Sequence, residues 1–267
     1  MSVQIFDVEH GFCAYVVTDS GNVTLIDAGH NSDTGFRPSK YLAANGCTGI
    51  EQFVVSNYDE DHLSDLPGLV RSPGIQTLAR NRSIDADQLE RLKRQSGPIA
   101  PGMRTLLTMI RSSTPNAAPV NWGGATFTFF WNPYPTFTET NDLSLVTFLD
   151  HRDVHMVFPG DLEKAGWKAL LQRSDFRTAL SRVKLFVASH HGRENGYLPE
   201  VFDFCKPELV LISDEPVKYD TQDVDYRRHA SGMRFSDGMR HVLTTRADGM
   251  ITISQAPGAG IRIETAP

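Results

Sequence analysis

Three polar clusters in this 267-residue chain carry side chains able to bind a divalent cation. They are Asn57, Asp59, Asp61 and His62; Asp161; and the doublet His190-His191. Each lies directly after an apolar run: Phe53-Val54-Val55-Ser56, His155 to Phe158, and Lys184 to Ser189. Aspartate and histidine together form a ligand set for borderline or hard divalent metals, imidazole suiting zinc and iron, carboxylate suiting magnesium and manganese. Taken singly, each cluster has a plainer reading. Asp59 to Asp61 reads as an acidic surface turn, Asp161 as a helix N-cap before Leu162, and the histidine doublet as incidental. Strand ends are where α/β folds expose reactive groups on a rigid support. Three clusters in that position fit one shared site better than three accidents.

The elements that must bring them together follow from the patterning. Residues 1–30 read as a β-meander, with the turn Asp19-Ser20-Gly21-Asn22 between two strands. Pro38 to Asn45 reads as a helix closed by Gly46. Two more helices are expected near Asp85 to Gln95 and Gly102 to Ser112. Residues 71–111 hold eight basic side chains against three acidic ones, although the whole chain has net charge −6. That surplus reads either as a solvated helical face or as a basic flap that draws in an anionic substrate. The second half repeats the grammar, with strands at Ala125 to Trp131, Leu143 to Leu149, His155 to Phe158, Lys184 to Ser189 and Glu208 to Ser213, and helices at Leu162 to Gln172 and Leu198 to Cys205. His241 to Thr245 and Met250 to Ser254 read as a final hairpin about Asp248-Gly249. Two similar halves of strands and helices predict two sheets covered by helices on their outer faces.

Composition sets the bounds. Hydrophobic residues at 40% and charged residues at 22% are ordinary for a globular protein and exclude general disorder. The acidic balance excludes a nucleic-acid coat or a polybasic membrane binder. Cys13, Cys47 and Cys205 are scattered and odd in number, which suggests a reducing compartment without a disulfide framework. The first residues lack the basic and apolar regions of a signal peptide, and no apolar run is long enough to span a bilayer, so a cytoplasmic protein is expected. Cys13, Trp122, Phe127 and Trp131 read as core.

In type and order these residues resemble the metallo-β-lactamase fold superfamily, and most closely the branch typified by the hydrolase domain of the DNA-uptake protein ComEC. That branch opens with an Asp-Val-Gly-Gln-Gly-like segment and a hairpin ending Leu-Ile-Asp-x-Gly; this chain has Asp7-Val8-Glu9-His10-Gly11 and Leu25-Ile26-Asp27-Ala28-Gly29. The metal motif H-x-D-x-D-H stands here as Asn57-Tyr58-Asp59-Glu60-Asp61-His62. Asn141-Asp142-Leu143-Ser144-Leu145-Val146, Gly160-Asp161 and His190-His191-Gly192 follow in family order, and Tyr226-Arg227-Arg228-His229 matches a later motif weakly.

The resemblance implies a four-layer αββα sandwich formed by residues 1–267 as one hydrolase domain, with a helical, basic insertion at about 71–120. It places Asp61, His62 and one of His190 and His191 at one metal position, with Asp161 bridging two ions. Asn57, Asp59 and Asn141 fall at the other position. An amide is a poor zinc ligand and a tolerable one for harder ions, so the expected cofactor is zinc or manganese, one or two ions per chain. The implied activity is hydrolysis of a phosphate ester or phosphodiester, of a nucleotide or nucleic acid, by a metal-activated water. Asp61 would orient that water, and His191, His229 or the basic segment would meet the developing charge. His10 falls beside the expected cleft, behind the ligands or on the surface. The alternative is a catalytically degenerate relative, marked by Asn57, that binds a ligand or a protein partner. Neither reading involves a membrane.

Overall fold

Strands β1 (Ser2–Ile5), β2 (Ala14–Val17) and β3 (Val23–Ile26) form the antiparallel meander. Helix α1 (Pro38–Ala44) crosses to β4 (Ile50–Val54), and α2 (Leu66–Arg71) crosses to β5 (Ile75–Ala79); both strands run parallel to β3. Helices α3 (Ala86–Ser96) and α4 (Pro101–Ser112) follow. The second half repeats this plan. β6 (Thr126–Phe130), β7 (Val146–His151) and β8 (Val154–Phe158) are antiparallel, and α5 (Lys164–Leu170) and α6 (Ser174–Leu180) lead to β9 (Leu185–Val187), parallel to β8. β10 (Leu209–Ile212), α7 (Asp223–Arg227), a small ribbon β11 (Met233–Phe235) and β12 (Gly238–Arg240), and β13 (Val242–Thr244) come next. After the single turn α8 (Thr245–Asp248), β14 (Met250–Ser254) and β15 (Arg262–Ala266) return to the first sheet. The sheet orders are β15-β14-β1-β2-β3-β4-β5 and β13-β10-β9-β8-β7-β6. This is a computed structural model, and it describes residues 1–112, 119–215, 221–236 and 238–266.

Burial explains the arrangement. β2 and β14 alternate buried and half-buried residues, as strands with one covered face do. β3, β9 and β10, each with a parallel neighbour, are buried at every position, as strands covered on both faces must be. Three apolar layers result. Val3, Ile5 and Val16 meet Leu149, Met156 and Leu211 between the sheets. Leu42, Leu69, Leu89 and Leu106 of α1 to α4 cover Phe53 on one outer face. Trp167, Phe176 and Leu180 of α5 and α6 cover Phe148 and Phe186 on the other. The expected αββα sandwich is therefore what the chain builds.

Several details differ from the sequence reading. Residues 241–254 do not fold on themselves as a hairpin. β13 pairs with β10 in one sheet and β14 with β1 in the other. The Asp-Gly turn signal loses to a helical turn: Thr244 Oγ1 accepts from Ala247 N at 3.3 Å, and Asp248 Oδ2 accepts from Thr244 N at 2.9 Å. β15 had no counterpart in the reading. The helical stretch Leu162 to Gln172 shortens to α5, and Leu198 to Cys205 contains only a 3₁₀ segment at Pro199–Asp203. The segment at 71–120 holds the two expected helices, but β5 precedes them, and residues 113–118 lie outside the described part. Asp85 and Gln88 form a reciprocal N-terminal box on α3. Many of its cations are used internally: Arg94 and Arg111 bond Glu90 at 2.6 Å each, and Arg80 donates to the carbonyls of Asn81 and Ile84. Among the described residues no helix is long and apolar enough to cross a membrane.

Phe176 is fully buried, with its ring 5.1 Å from that of Phe130 and 5.7 Å from that of Phe148. Phe176→Ala is expected to destabilise the fold by about 3–5 kcal/mol, read from the urea midpoint. The exposed Val224→Ala should stay within about 0.5 kcal/mol of wild type.

Candidate metal centre

Parallel pairing sets the carboxyl ends of β3 and β4 on one sheet, and of β8, β9 and β10 on the other, at one rim. Hydrogen bonds stitch that rim across the two sheets: Leu145 N donates to Ser56 O at 2.8 Å, and Ser213 Oγ donates to Gly11 O at 2.7 Å. After β4 the chain forms a single 3₁₀ turn, Glu60–His62. A Cβ on either Gly11 or Gly29 would come within 2.5 Å of the Asp61 carbonyl oxygen, so both loops press directly on this turn. Glu60 Oε1 accepts from Gly102 N at 2.9 Å and thereby fixes the turn to the start of α4. After β9 the backbone of His190, His191 and Gly192 is left-handed, with φ of 48°, 55° and 76°. Such conformations cost a non-glycine residue about 1–3 kcal/mol and persist only where their surroundings hold them. Here Ser189 Oγ does so by donating to Leu162 O at 2.5 Å.

These loops bring one donor atom from each of Asp61, His62, Asp161 and His191 within 4.8 Å of one another. His62 Nε2 lies 3.1 Å from Asp161 Oδ1 and 3.9 Å from Asp61 Oδ2. His191 Nε2 lies 3.5 Å and 3.4 Å from the same two oxygens. Both imidazoles are aimed from behind. His62 Nδ1 is 2.8 Å from Asp27 Oδ2, and His191 Nδ1 is 3.0 Å from Ser213 O. Asp27 is in turn held by Ser56, whose backbone N donates at 2.7 Å and whose hydroxyl also donates. This is the support that a metal-binding histidine ordinarily has.

Charge points the same way. Burial disfavours an imidazolium at His62, but Asp161, Asp61 and Asp27 outweigh it and hold the group well above its ordinary value. His191 also overcomes burial through Asp161 and Asp61, and is held up at about 9. Burial would raise Asp161, yet His62 and His191 pull it well below the usual carboxylate range. The buried carboxylates thus require positive charge between them. His62 Nε2 and His191 Nε2 are nevertheless buried without a hydrogen-bond partner. Two imidazole nitrogens and two carboxylates, with both nitrogens unsatisfied, fit a zinc-, manganese- or iron-like divalent ion.

Other residues from the sequence reading are placed outside this group. Asn57 is fully buried, with Nδ2 donating to Asn141 Oδ1 at 3.0 Å. Asp59 turns outward and forms an ion pair with Lys93 of α3. His190 Nε2 is 3.8 Å from Asp161 Oδ2, while its Nδ1 lies 3.5 Å from Glu163. His229 lies flat on Phe202 at 4.1 Å and bonds Tyr197 Oη at 2.8 Å, packed with the outer helix layer. His10 packs on the His191 ring at 4.4 Å, and its Nε2 is 3.5 Å from Asp61 Oδ2. Asp27, Ser213 and Arg193 have no assigned role in the sequence, and Lys93 counts there only among the cations of the basic segment. Asp27 is visible in the Leu25-Ile26-Asp27-Ala28-Gly29 motif; nothing local marks Ser213 or Arg193.

A family model described as the metallo-beta-lactamase superfamily matches residues 9–211. The chain belongs to the metallo-β-lactamase superfamily. Solved structures share this superfamily's fold at low identity. The diiron β-hydroxylase CmlA from Streptomyces venezuelae aligns with a TM-score of 0.53 at 13% identity, over 95% of this chain and 54% of its own. Zn(2+)-bound PqqB from Methylobacterium extorquens gives 0.50 at 12%, over 96% and 100%. A diphosphatase of the PhnP family gives 0.52 at 11%, over 96% and 98%. Among curated proteins no significant sequence match is found. Within the metallo-β-lactamase frame, Asp27 is the residue whose loss tests whether His62 must be oriented. Asp27→Asn is expected to weaken zinc binding about 10–100-fold, measured by competition with a chromogenic chelator. Unchanged affinity would mean that the Asp27–His62 contact does not support the site.

Proposed function

We propose that this metallo-β-lactamase superfamily member is a metal-dependent hydrolase of phosphate esters or phosphodiesters. The observation that carries the reading is the convergence of buried His62, Asp161 and His191 with half-buried Asp61, both imidazole Nε2 atoms being unsatisfied. A divalent ion held there would supply Lewis acidity, making water nucleophilic near neutral pH. The four side chains divide the work by exposure. His62, Asp161 and His191 are 1%, 4% and 3% exposed, whereas Asp61 is 23% exposed. Asp61 is therefore the donor that also meets solvent, and its carboxylate would accept a proton from an attacking water. His191, carried over from the sequence as a charge-stabilising residue, acts here as a ligand held by Ser213. His229, carried over in the same role, is engaged by Phe202 and Tyr197 instead.

Arg193 bears on substrate charge. Its Nη2 lies 2.7 Å from His10 Nε2 and its Nη1 lies 3.3 Å from His190 Nε2, beside the two histidines that flank the donors. A permanent cation held against the centre favours an anionic ester and would neutralise charge as the centre is attacked. The motif resemblance to the ComEC-type hydrolase domain supports a nucleotide or nucleic-acid phosphodiester in particular. The likeness to a PhnP-family diphosphatase agrees with phosphate chemistry without fixing it. The alternative, a ligand-binding relative without turnover, is favoured by the amide pair Asn57–Asn141 where a second set of ligands was expected.

The test is turnover of a chromogenic phosphodiester and of a phosphomonoester by protein loaded with zinc or manganese. Asp161→Ala should lose activity by at least about 10³-fold while remaining folded, and Arg193→Gln should raise KM more than it lowers kcat. Full activity in Asp161→Ala removes the hydrolase reading. An ion retained without turnover of any ester leaves the binding protein.

A further inference from the structure

The amide pair and the ion pair beside the donors have a consequence for metal count. Asn57 spends its carbonyl oxygen on its own backbone, accepting from Tyr58 N and from Asp59 N at 3.0 Å. Its Nδ2 faces Asn141 Oδ1, and Asn141 Nδ2 donates onward to Glu163 Oε1 at 2.9 Å. Glu163 Oε1 also accepts from Asn195 Nδ2 at 2.8 Å. Asp59, the remaining charged candidate, is neutralised by the Lys93 ammonium, which is only 15% exposed. Asn57 Oδ1, Asn141 Oδ1 and Asp59 Oδ1 are thus each already engaged by a proton donor. Among the described residues no other trio of histidine, cysteine or carboxylate donors converges as Asp61, His62, Asp161 and His191 do.

We infer that the centre is mononuclear: one divalent ion is held by Asp61, His62, Asp161 and His191, and the Asn57–Asn141–Glu163 chain with the Asp59–Lys93 pair excludes a second. This rests on the metal-binding reading above and deepens it. The energetics favour exclusion. A second cation would have to displace the Lys93 ammonium from Asp59, take Asn57 Oδ1 from two backbone N–H groups, and accept neutral amides as ligands. Taking Asn57 Oδ1 would leave two backbone N–H groups beside a fully buried residue unpaired, in exchange for a neutral amide ligand. Lys93 stands here as a built-in monovalent cation. It also ties α3 to the metal-binding turn, as Glu60 ties α4 to it.

The test is a count. Wild-type protein is saturated with Zn2+, desalted, and examined by native mass spectrometry and elemental analysis. One zinc per folded chain is expected, and Mn2+-loaded protein should show the electron-paramagnetic signal of an isolated ion. The combined variant Asn57→His, Asn141→His and Lys93→Met should take up a second zinc. Two zinc ions in the wild type, or a spin-coupled manganese signal, overturns the inference and leaves the hydrolase reading standing. Retention of no ion overturns the metal-binding reading itself. If the combined variant is folded by circular dichroism and still holds one zinc, the named residues are not what excludes the second ion, and the inference fails in that part. If the variant does not fold, the wild-type count and the manganese signal decide alone.

Discussion

Asp161 is a carboxylate at the junction of two sheets with almost no access to water, and leaving such a group unbalanced costs several kcal/mol. His62 and His191 meet it from opposite loops, and Asp27 and Ser213 hold those rings in place. Positive charge at that point is a condition of burying Asp161 at all. The geometry of the rim follows from it: the imidazoles must face inward, so the turn after β4 and the left-handed bend after β9 must both lie against the carboxylate. A divalent ion satisfies the same condition with a better match of donors, because it meets both unsatisfied nitrogens at once.

Precision at this junction comes from contacts that exclude side chains. Gly11 and Gly29 touch the Asp61 carbonyl, and Gly160, with φ of +61°, passes 2.9 Å from Ser56 O at its would-be Cβ. Backbone therefore packs on backbone around the donors, where rotamer freedom is absent. The helical segment after β5 adds a second layer of support. Glu60 holds the start of α4, Lys93 of α3 holds Asp59, and Arg94 and Arg111 bond to the segment's own carboxylates. The segment behaves as a buttress of the metal-binding turn more than as a free basic flap, and the cation held against His10 and His190 is Arg193, from outside it.

The layered fold was legible because strand length, buried runs and helical spacing are local signals. Asp161, His62 and His191 are legible because each lies in the loop that follows an apolar strand, and strand ends gather at a rim. What was not legible is pairwise. The partner of Asp59 is 34 positions away on a helix whose face only packing decides. The role of Asp27 required knowing that β3 and β4 are neighbours, since its partners Ser56 and His62 follow β4. The final strands were misread for the same reason: Asp248-Gly249 is a good turn signal, but β13 and β14 have better partners in different sheets than in each other. Asn57 was noticed as an amide among expected ligands, yet its hydrogen bond to Asn141 spans 84 positions and has no local signature.

The most direct measurement of the central claim is anomalous diffraction from a crystal soaked in zinc, collected on both sides of the zinc edge. A single strong peak is expected within coordination distance of Asp61, Asp161 and the Nε2 atoms of His62 and His191. A peak centred on Asn57 and Asp59, or strong zinc peaks only at surface histidines with the four donors turned away from one another, would contradict it.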